Sequence, residues 1–542
     1  MAGRSGPDGS GRSGWAADAR RRPAGTLPDA AATNASAAER TAPQGGDASG
    51  ADGKQREDGA AGPGAPTVVE RAVYRNAPGD AVELAIVYEI PDAVSRLAFW
   101  IERPDVSVLA ADGFERSGVG RYTWQGSVDG PAFEWDGEGN RATVVLRQSL
   151  DDDGPATYGA GAEDWALLLR PRTHTRWRYR GPEPVIDREA AVRGVGVAGK
   201  QFAVLGEHEI VARSVEAGAR TDRPSDRRSG RPAERNPSAD VGPVQETVRL
   251  VIPEAADLVA DRSEVLDALT AASERLDIGG RSPVVTVFVA PTEGVTWAHR
   301  GLSLGPDARV NDVAPLSAPT NIWVHEYVHT RQDRAATAPG TQWLLEATAE
   351  YYAVTQAFER GAVEYETYRQ VLERGSEGQP GGAILADPET WAEDAQYRKG
   401  ALVVAALDRR IRAATGGEAT VQAVLRAWNG ADPGTFDAAA FADAVEAAGG
   451  PAARAAAIAY TQTPTTPTCW SAAAHAAIFD LDPAACGVEI GPVDGAVAGR
   501  EGGDAIAASG VDPSLHGSET SEERPIERIV DLAVDAPSAR HG

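Results

Sequence analysis

Residues 325–329 read His-Glu-Tyr-Val-His, an H-E-x-x-H pattern, and after sixteen intervening residues comes Glu346 within Trp-Leu-Leu-Glu. On a helix, His325 and His329 lie four apart and project from one face, so both imidazoles can reach a single zinc ion. Glu326 points about 100° away around the same helix, beside the metal, where it can take a proton from a water the metal activates. Glu346 supplies a third protein ligand and leaves the fourth position open for water and substrate. That is the arrangement of a catalytic zinc site, since structural sites usually close all four positions. The chain has only eight histidines, and the pattern is expected by chance at about one occurrence in a hundred such chains.

The surrounding sequence carries the elements such a site needs. Pro319, Thr320 and Asn321 are helix-start signals; Ile322, Trp323, Val324 and Val328 can turn an apolar face to a core, and Pro339-Gly340 ends the segment. A second helical pattern over 342–360 carries Glu346 and Glu350 at i, i+4, with Gly361 after it. Glu350, one turn beyond the third ligand, is placed either to accept the outer N–H of a zinc-binding histidine or to sit as a solvated acid on the helix face. The alternative assignment, Glu350 as ligand and Glu346 as support, is less favoured by the Trp-Leu-Leu-Glu context of Glu346. A third helix over 397–412 opens with Tyr-Arg-Lys-Gly and has an apolar face.

These three blocks together resemble the gluzincin metallopeptidases, first the glycyl aminopeptidase family and then the leukotriene-hydrolase and aminopeptidase N type. The resemblance covers roughly residues 245–450. In those families the tyrosine of the Tyr-x-Lys-Gly block donates its hydroxyl to the tetrahedral oxyanion, which implies that role for Tyr397. The chain also departs from them. Where the aminopeptidase N branch has Gly-x-Met-Glu-Asn, and the glycyl branch a Gly-Leu-Glu-His-like stretch, this chain has Gly301-Leu302-Ser303-Leu304, without a glutamate. The PDZ domain common after the glycyl core has no evident counterpart. Zinc hydrolysis is thus better supported by the sequence than aminopeptidase specificity.

Composition narrows the partners. The 542 residues include 53 basic and 79 acidic side chains, a net charge of −26, and only three of the basic residues are lysines (Lys54, Lys200 and Lys399). Phosphate neutralisation needs a basic footprint, so nucleic-acid binding is not expected. The acidic excess fits a halophilic protein, whose self-repulsion is screened at high ionic strength. As the Debye length falls from ~10 Å at 0.1 M salt to ~3 Å at 1 M, the melting temperature is expected to rise. A melting temperature that stays flat or falls over that range contradicts a halophilic design. No stretch approaches the ~20 apolar residues of a membrane span. The run Ala-Asp-Ala-Arg-Arg-Arg-Pro is similar to a twin-arginine start, but no apolar segment follows it. The compartment is left open between the cell exterior and the cytoplasm of a high-salt organism. Cys469 and Cys486, the only cysteines, suit either one disulfide or two buried thiols.

Along the chain, residues 1–66 lack apolar periodicity and read as disordered. Short β-rich runs at 82–90, 96–101, 142–148, 165–169 and 201–211 predict a β-sandwich over 67–213. A disordered linker follows at 214–243. A mainly helical α+β catalytic domain is expected over 244–465, with strands at 247–252 and 284–290 and helices at 263–276, 421–428 and 436–448. Residues 466–495 form a loop-rich extension holding both cysteines, and 496–542 a disordered acidic tail. The combined reading is a multidomain zinc metallopeptidase with one zinc per chain and a peptide or protein substrate. His325, His329 and Glu346 are its ligands, Glu326 the general base and Tyr397 the oxyanion donor. Two other readings are compatible with the sequence: a zinc hydrolase of the epoxide hydrolase type, and a non-catalytic exported binding module with a structural zinc. Exo- or endo-cleavage, the substrate and the oligomeric state are not specified by the sequence.

Overall fold

The computed structural model describes residues 52–54, 64–76, 81–103, 106–121, 129–150, 155–217, 244–332, 334–392 and 394–488. The acidic tail, nearly all of the N-terminal segment and most of the linker named above lie outside the described residues.

The N-terminal half is built from sheets whose strands alternate buried and exposed positions. In Arg141–Ser149, for example, Ala142, Val144, Leu146 and Gln148 point inward and their neighbours outward. The period of two is what a half-buried strand requires. This strand lies fourth in a five-stranded sheet ordered Val185–Val192, Thr67–Asn76, Ala81–Glu89, Arg141–Ser149 and Val106–Asp112. A second sheet runs Asp52–Lys54, Thr173–Tyr179, Val94–Ile101, Asp129–Trp135 and Phe114–Arg121. Side chains of the two sheets meet in one core. Tyr88 of the first lies 4.8 Å, ring centre to ring centre, from Phe99 of the second, and Phe99 stacks at 5.1 Å on Phe133. A four-stranded sheet, Gly196–Ala198, Phe202–Leu205, Ala166–Leu169 and Gly159–Gly161, completes this half.

The stretch 201–211, read from sequence as one strand, is two. Gly206 turns the chain at a φ of +100°, and a Cβ there would come within 2.3 Å of the Asp164 carbonyl. Only glycine enters that conformation without strain. Phe202–Leu205 therefore stays with the four-stranded sheet, while the next strand, His208–Ala217, pairs along its whole length with Val244–Pro253. That second strand crosses residue 213, where the sequence reading set its domain boundary.

The sheet it enters is ordered His208–Ala217, Val244–Pro253, Val284–Ala290, Asp307–Asn311 and Gly301–Leu304, with parallel pairing at the two inner contacts and antiparallel pairing at the edges. Parallel strands are covered on both faces and so read as unbroken apolar runs. Val284–Ala290 does so except at Thr286. Val285, Val287 and Val289 enter the helical core, while Phe288 and Ala290 enter a second cluster with Trp165, Phe202 and Val204 of the N-terminal half. Asp307 fastens the same junction by accepting hydrogen bonds from the Gln201 and Phe202 amides at 2.6 and 3.2 Å.

Helices supply the rest: α1 (Arg262–Arg275), α2 (Ile322–His329), α3 (Leu344–Glu359), α4 (Tyr365–Glu373), α5 (Gly378–Gly382), α6 (Ala395–Thr415), α7 (Gln422–Asn429), α8 (Ala438–Gln462) and α9 (Ala472–Phe479). Helix α1 starts where the Asp261 carboxylate accepts from the amides of Ser263 and Glu264, the usual N-cap device. Helix α8 runs past the end expected at 448. It breaks at Gly450 (φ +79°) ahead of Pro451 and resumes to Gln462, because proline is tolerated in the first turn of a new helical run. Trp323, Trp343 and Trp428 are fully buried in the helical core, where truncation to alanine costs about 3–5 kcal/mol. Cys469 and Cys486 are free thiols. Among the described residues, no helix is long and apolar enough to cross a membrane.

Candidate metal centre and active site

Helix α2 is buried on all sides, which lets it carry polar side chains into the interior on one face while the others hold it in place. Its first turn is capped by Asn321, whose side-chain oxygen accepts from the Val324 amide at 3.0 Å. The Trp323 indole donates to the Ala314 carbonyl at 3.1 Å. On the sheet side, the Tyr327 hydroxyl donates to the buried Glu246 carboxylate, and Arg331 donates to Tyr327 and to the carbonyls of Gly279 and Leu276. With that face committed to the sheet, the 3.6-residue period directs His325 and His329 the other way.

His325, His329 and Glu346 converge there. The His325 and His329 Nε2 atoms are 3.1 Å apart, and each lies 3.2 Å from the same oxygen, Oε2 of Glu346. Zinc bonds of ~2.0–2.1 Å in tetrahedral geometry place neighbouring ligand atoms about 3.3 Å apart. The triangle therefore has the size of one face of a zinc tetrahedron, and the two-imidazole, one-carboxylate donor set suits that ion. Among the described residues, this is the one group of three or more His, Cys, Asp or Glu side chains placed to share a metal.

The charges around the triangle favour a cation. Burial alone would depress the His325 pKa, but the carboxylates of Glu346, Glu350 and Glu326 outweigh it and raise the value to about 10. Glu346 is half-buried, which pushes its pKa up, yet His329 and His325 hold it well below the usual carboxylate range. Carboxylates that favour a proton on His325 also favour a dication between these groups. Glu350 reaches the far side of His325, its Oε2 3.4 Å from Nδ1.

Glu326 sits against the edge strand Gly301–Leu304. The Ser303 hydroxyl is 2.7 Å from Glu326 Oε2 and 2.8 Å from the Glu326 carbonyl. A Cβ on Gly301 would lie 2.4 Å from Glu326 Oε1, so any larger residue at 301 would displace the Glu326 carboxylate. The stretch that lacks a glutamate is thus the one lying directly beside Glu326.

Helix α6 brings in Tyr397. Gly400, three residues later, rests on Ala347, where a Cβ would stand 2.6 Å from the Ala347 Cβ. Because Ala347 follows Glu346, this close approach of α3 and α6 also carries the first turn of α6 toward the triangle. The Tyr397 ring lies 6.0 Å from the His325 ring, centre to centre, at an interplanar angle of 17°. Lys399, by contrast, is fully buried and donates to the carbonyls of Gly381 and Ala383 at 3.3 and 2.5 Å. Burial lowers its pKa to about 8.

Sequence reasoning missed Ser303 and Gln332. The Gln332 Oε1 is 2.7 Å from His329 Nδ1. Gln332 lies past the end of α2, so no helix-face spacing marked it. Nothing local marked Ser303, which meets Glu326 only through the tertiary fold.

No family model and no curated protein matches the sequence. Among solved structures, the chain is similar to an M1 zinc metallopeptidase from Deinococcus radiodurans, with 13% identity and a TM-score of 0.47, covering 75% of this chain and 95% of that one. It is also similar to an aminopeptidase N family protein from Idiomarina loihiensis, with 11% identity and a TM-score of 0.41, over 69% of this chain and 71% of that one. A third likeness is to yeast LTA4 hydrolase, with 10% identity and a TM-score of 0.38, over 74% and 68% of the two chains.

Proposed function

We propose that the protein is a zinc-dependent peptidase whose catalytic domain stands behind an N-terminal β-sandwich. The observation that carries this reading is the triangle of His325 Nε2, His329 Nε2 and Glu346 Oε2, with Glu326 and Tyr397 beside it. A structural brace has no use for either of the last two groups.

His325, His329 and Glu346 would hold the ion, one per chain, and Glu350 would orient His325 from behind. Bound there, zinc supplies Lewis acidity, which makes a water nucleophilic at neutral pH and polarises the scissile carbonyl. The chain's own groups manage the protons. Glu326, held by Ser303, accepts a proton from the attacking water and returns it to the leaving amine, so that the peptide C–N bond breaks without releasing an amide anion. Tyr397 donates its hydroxyl to the oxygen that gains charge as the carbonyl carbon becomes tetrahedral. Such a donor works best where it is held in place beforehand, and the close packing of α6 on α3 at Gly400 and Ala347 supports that role.

Aminopeptidase-like cleavage is the finer reading. An epoxide hydrolase uses the same kind of constellation, so a substrate panel decides between them. Amino-acid anilides, internally quenched peptides and epoxides should be offered to the full chain in high salt. Turnover of either peptide class with epoxides inert supports a peptidase; turnover of epoxides alone overturns it.

A further inference from the structure

The geometry points to Gln332 as a positioning residue for the proposed zinc site, one that presents His329 with its Nε2 bare. This inference rests on the zinc reading above.

The direction of every hydrogen bond around Gln332 follows from the chemistry of its partners. Its Nε2 lies 2.9 Å from the Leu345 carbonyl oxygen and 2.7 Å from Thr348 Oγ1. A carbonyl can only accept. The one hydroxyl proton of Thr348 is directed to the Leu344 carbonyl at 2.8 Å, so Thr348 Oγ1 accepts from Gln332 as well. Both N–H bonds of the amide are thereby used, and the amide cannot be turned over without losing them. Its Oε1, 2.7 Å from His329 Nδ1, can only accept, which requires the proton of the neutral imidazole on Nδ1. His329 Nε2 then carries a lone pair, aimed at the point it shares with His325 and Glu346. An outer partner that fixes the tautomer of a metal-binding histidine is a general device.

The same amide does a second thing. Leu345 immediately precedes Glu346, so one side chain grips both the His329 ring and the backbone that carries the third ligand. The two donations to α3 hold the amide in one orientation and add to stability, while the acceptor at His329 Nδ1 sets the tautomer that zinc affinity reads.

Three substitutions separate this role from a plain bracket between helices. Gln332→Met keeps the length and removes every hydrogen bond. Gln332→Glu keeps an acceptor for His329 Nδ1 and loses both donations to α3. Thr348→Val weakens the link to α3 without touching His329. Zinc affinity of each full-length variant is measured at one fixed pH by competition with a chromophoric chelator, and thermal stability is measured on the chelator-stripped proteins. We expect Met to weaken zinc binding by about 10–100-fold, with Glu and Val within a few-fold of wild type although their stability drops. Zinc affinity that follows stability across the three, with Glu as damaged as Met or Met as good as wild type, overturns the inference. If Gln332→Met does not fold, Glu and Val still decide: zinc loss in either of them contradicts the role. A folded wild type that takes up no zinc overturns the zinc reading, and this inference with it.

Discussion

Glu326→Gln is expected to lower turnover by about 10²–10⁴, the range for losing a general base, while zinc content and melting temperature stay at wild-type values. The amide occupies nearly the same volume and can still accept from Ser303, whose hydroxyl is 2.7 Å from Glu326 Oε2. The glycine at 301 leaves the room the side chain needs. What the amide cannot do is take a proton from water. Steady-state kinetics with parallel metal analysis check this. A variant with bound zinc and near-wild-type turnover removes Glu326 from the role of base.

Tyr397→Phe should lower turnover by roughly 10²–10³, or ~2.7–4 kcal/mol, as expected for losing one donor to a developing oxyanion. Substrate affinity should move far less, because the bond strengthens mainly in the transition state. Zinc content should not change. The ring lies 6.0 Å from that of His325 and is partly exposed, so losing the hydroxyl leaves its packing on α6 intact. If Tyr397 serves only to pack, the pattern inverts: kinetics hold and any damage appears as a lower melting temperature.

How far the site could be read in the sequence depended on the distance between partners along the chain. The i, i+4 spacing of His325 and His329 is a property of one helix turn, and it is written in five residues. The helices around Glu346 and Tyr397 were readable from their apolar periodicity, to within a few residues at each end. Glu326 meeting Ser303, 23 residues earlier, depends on an edge strand folding back against α2, and no local pattern announces that. The split of 201–211 into strands of two sheets has the same origin. Both halves are apolar and extended, and only the turn at Gly206 and the partners at 166–169 and 244–253 separate them. The junction made by Asp307 joins residues 105 and 106 apart. Such contacts are selected by packing over the whole domain, which periodicity does not record.

Metal analysis of the full chain purified without added metal asks whether His325, His329 and Glu346 hold one catalytic zinc. We predict one zinc per chain, activity lost on chelation and restored by stoichiometric zinc, and neither zinc nor activity in folded His325→Ala or His329→Ala. A wild type that is folded, metal-free and fully active would rule out a catalytic zinc at these residues.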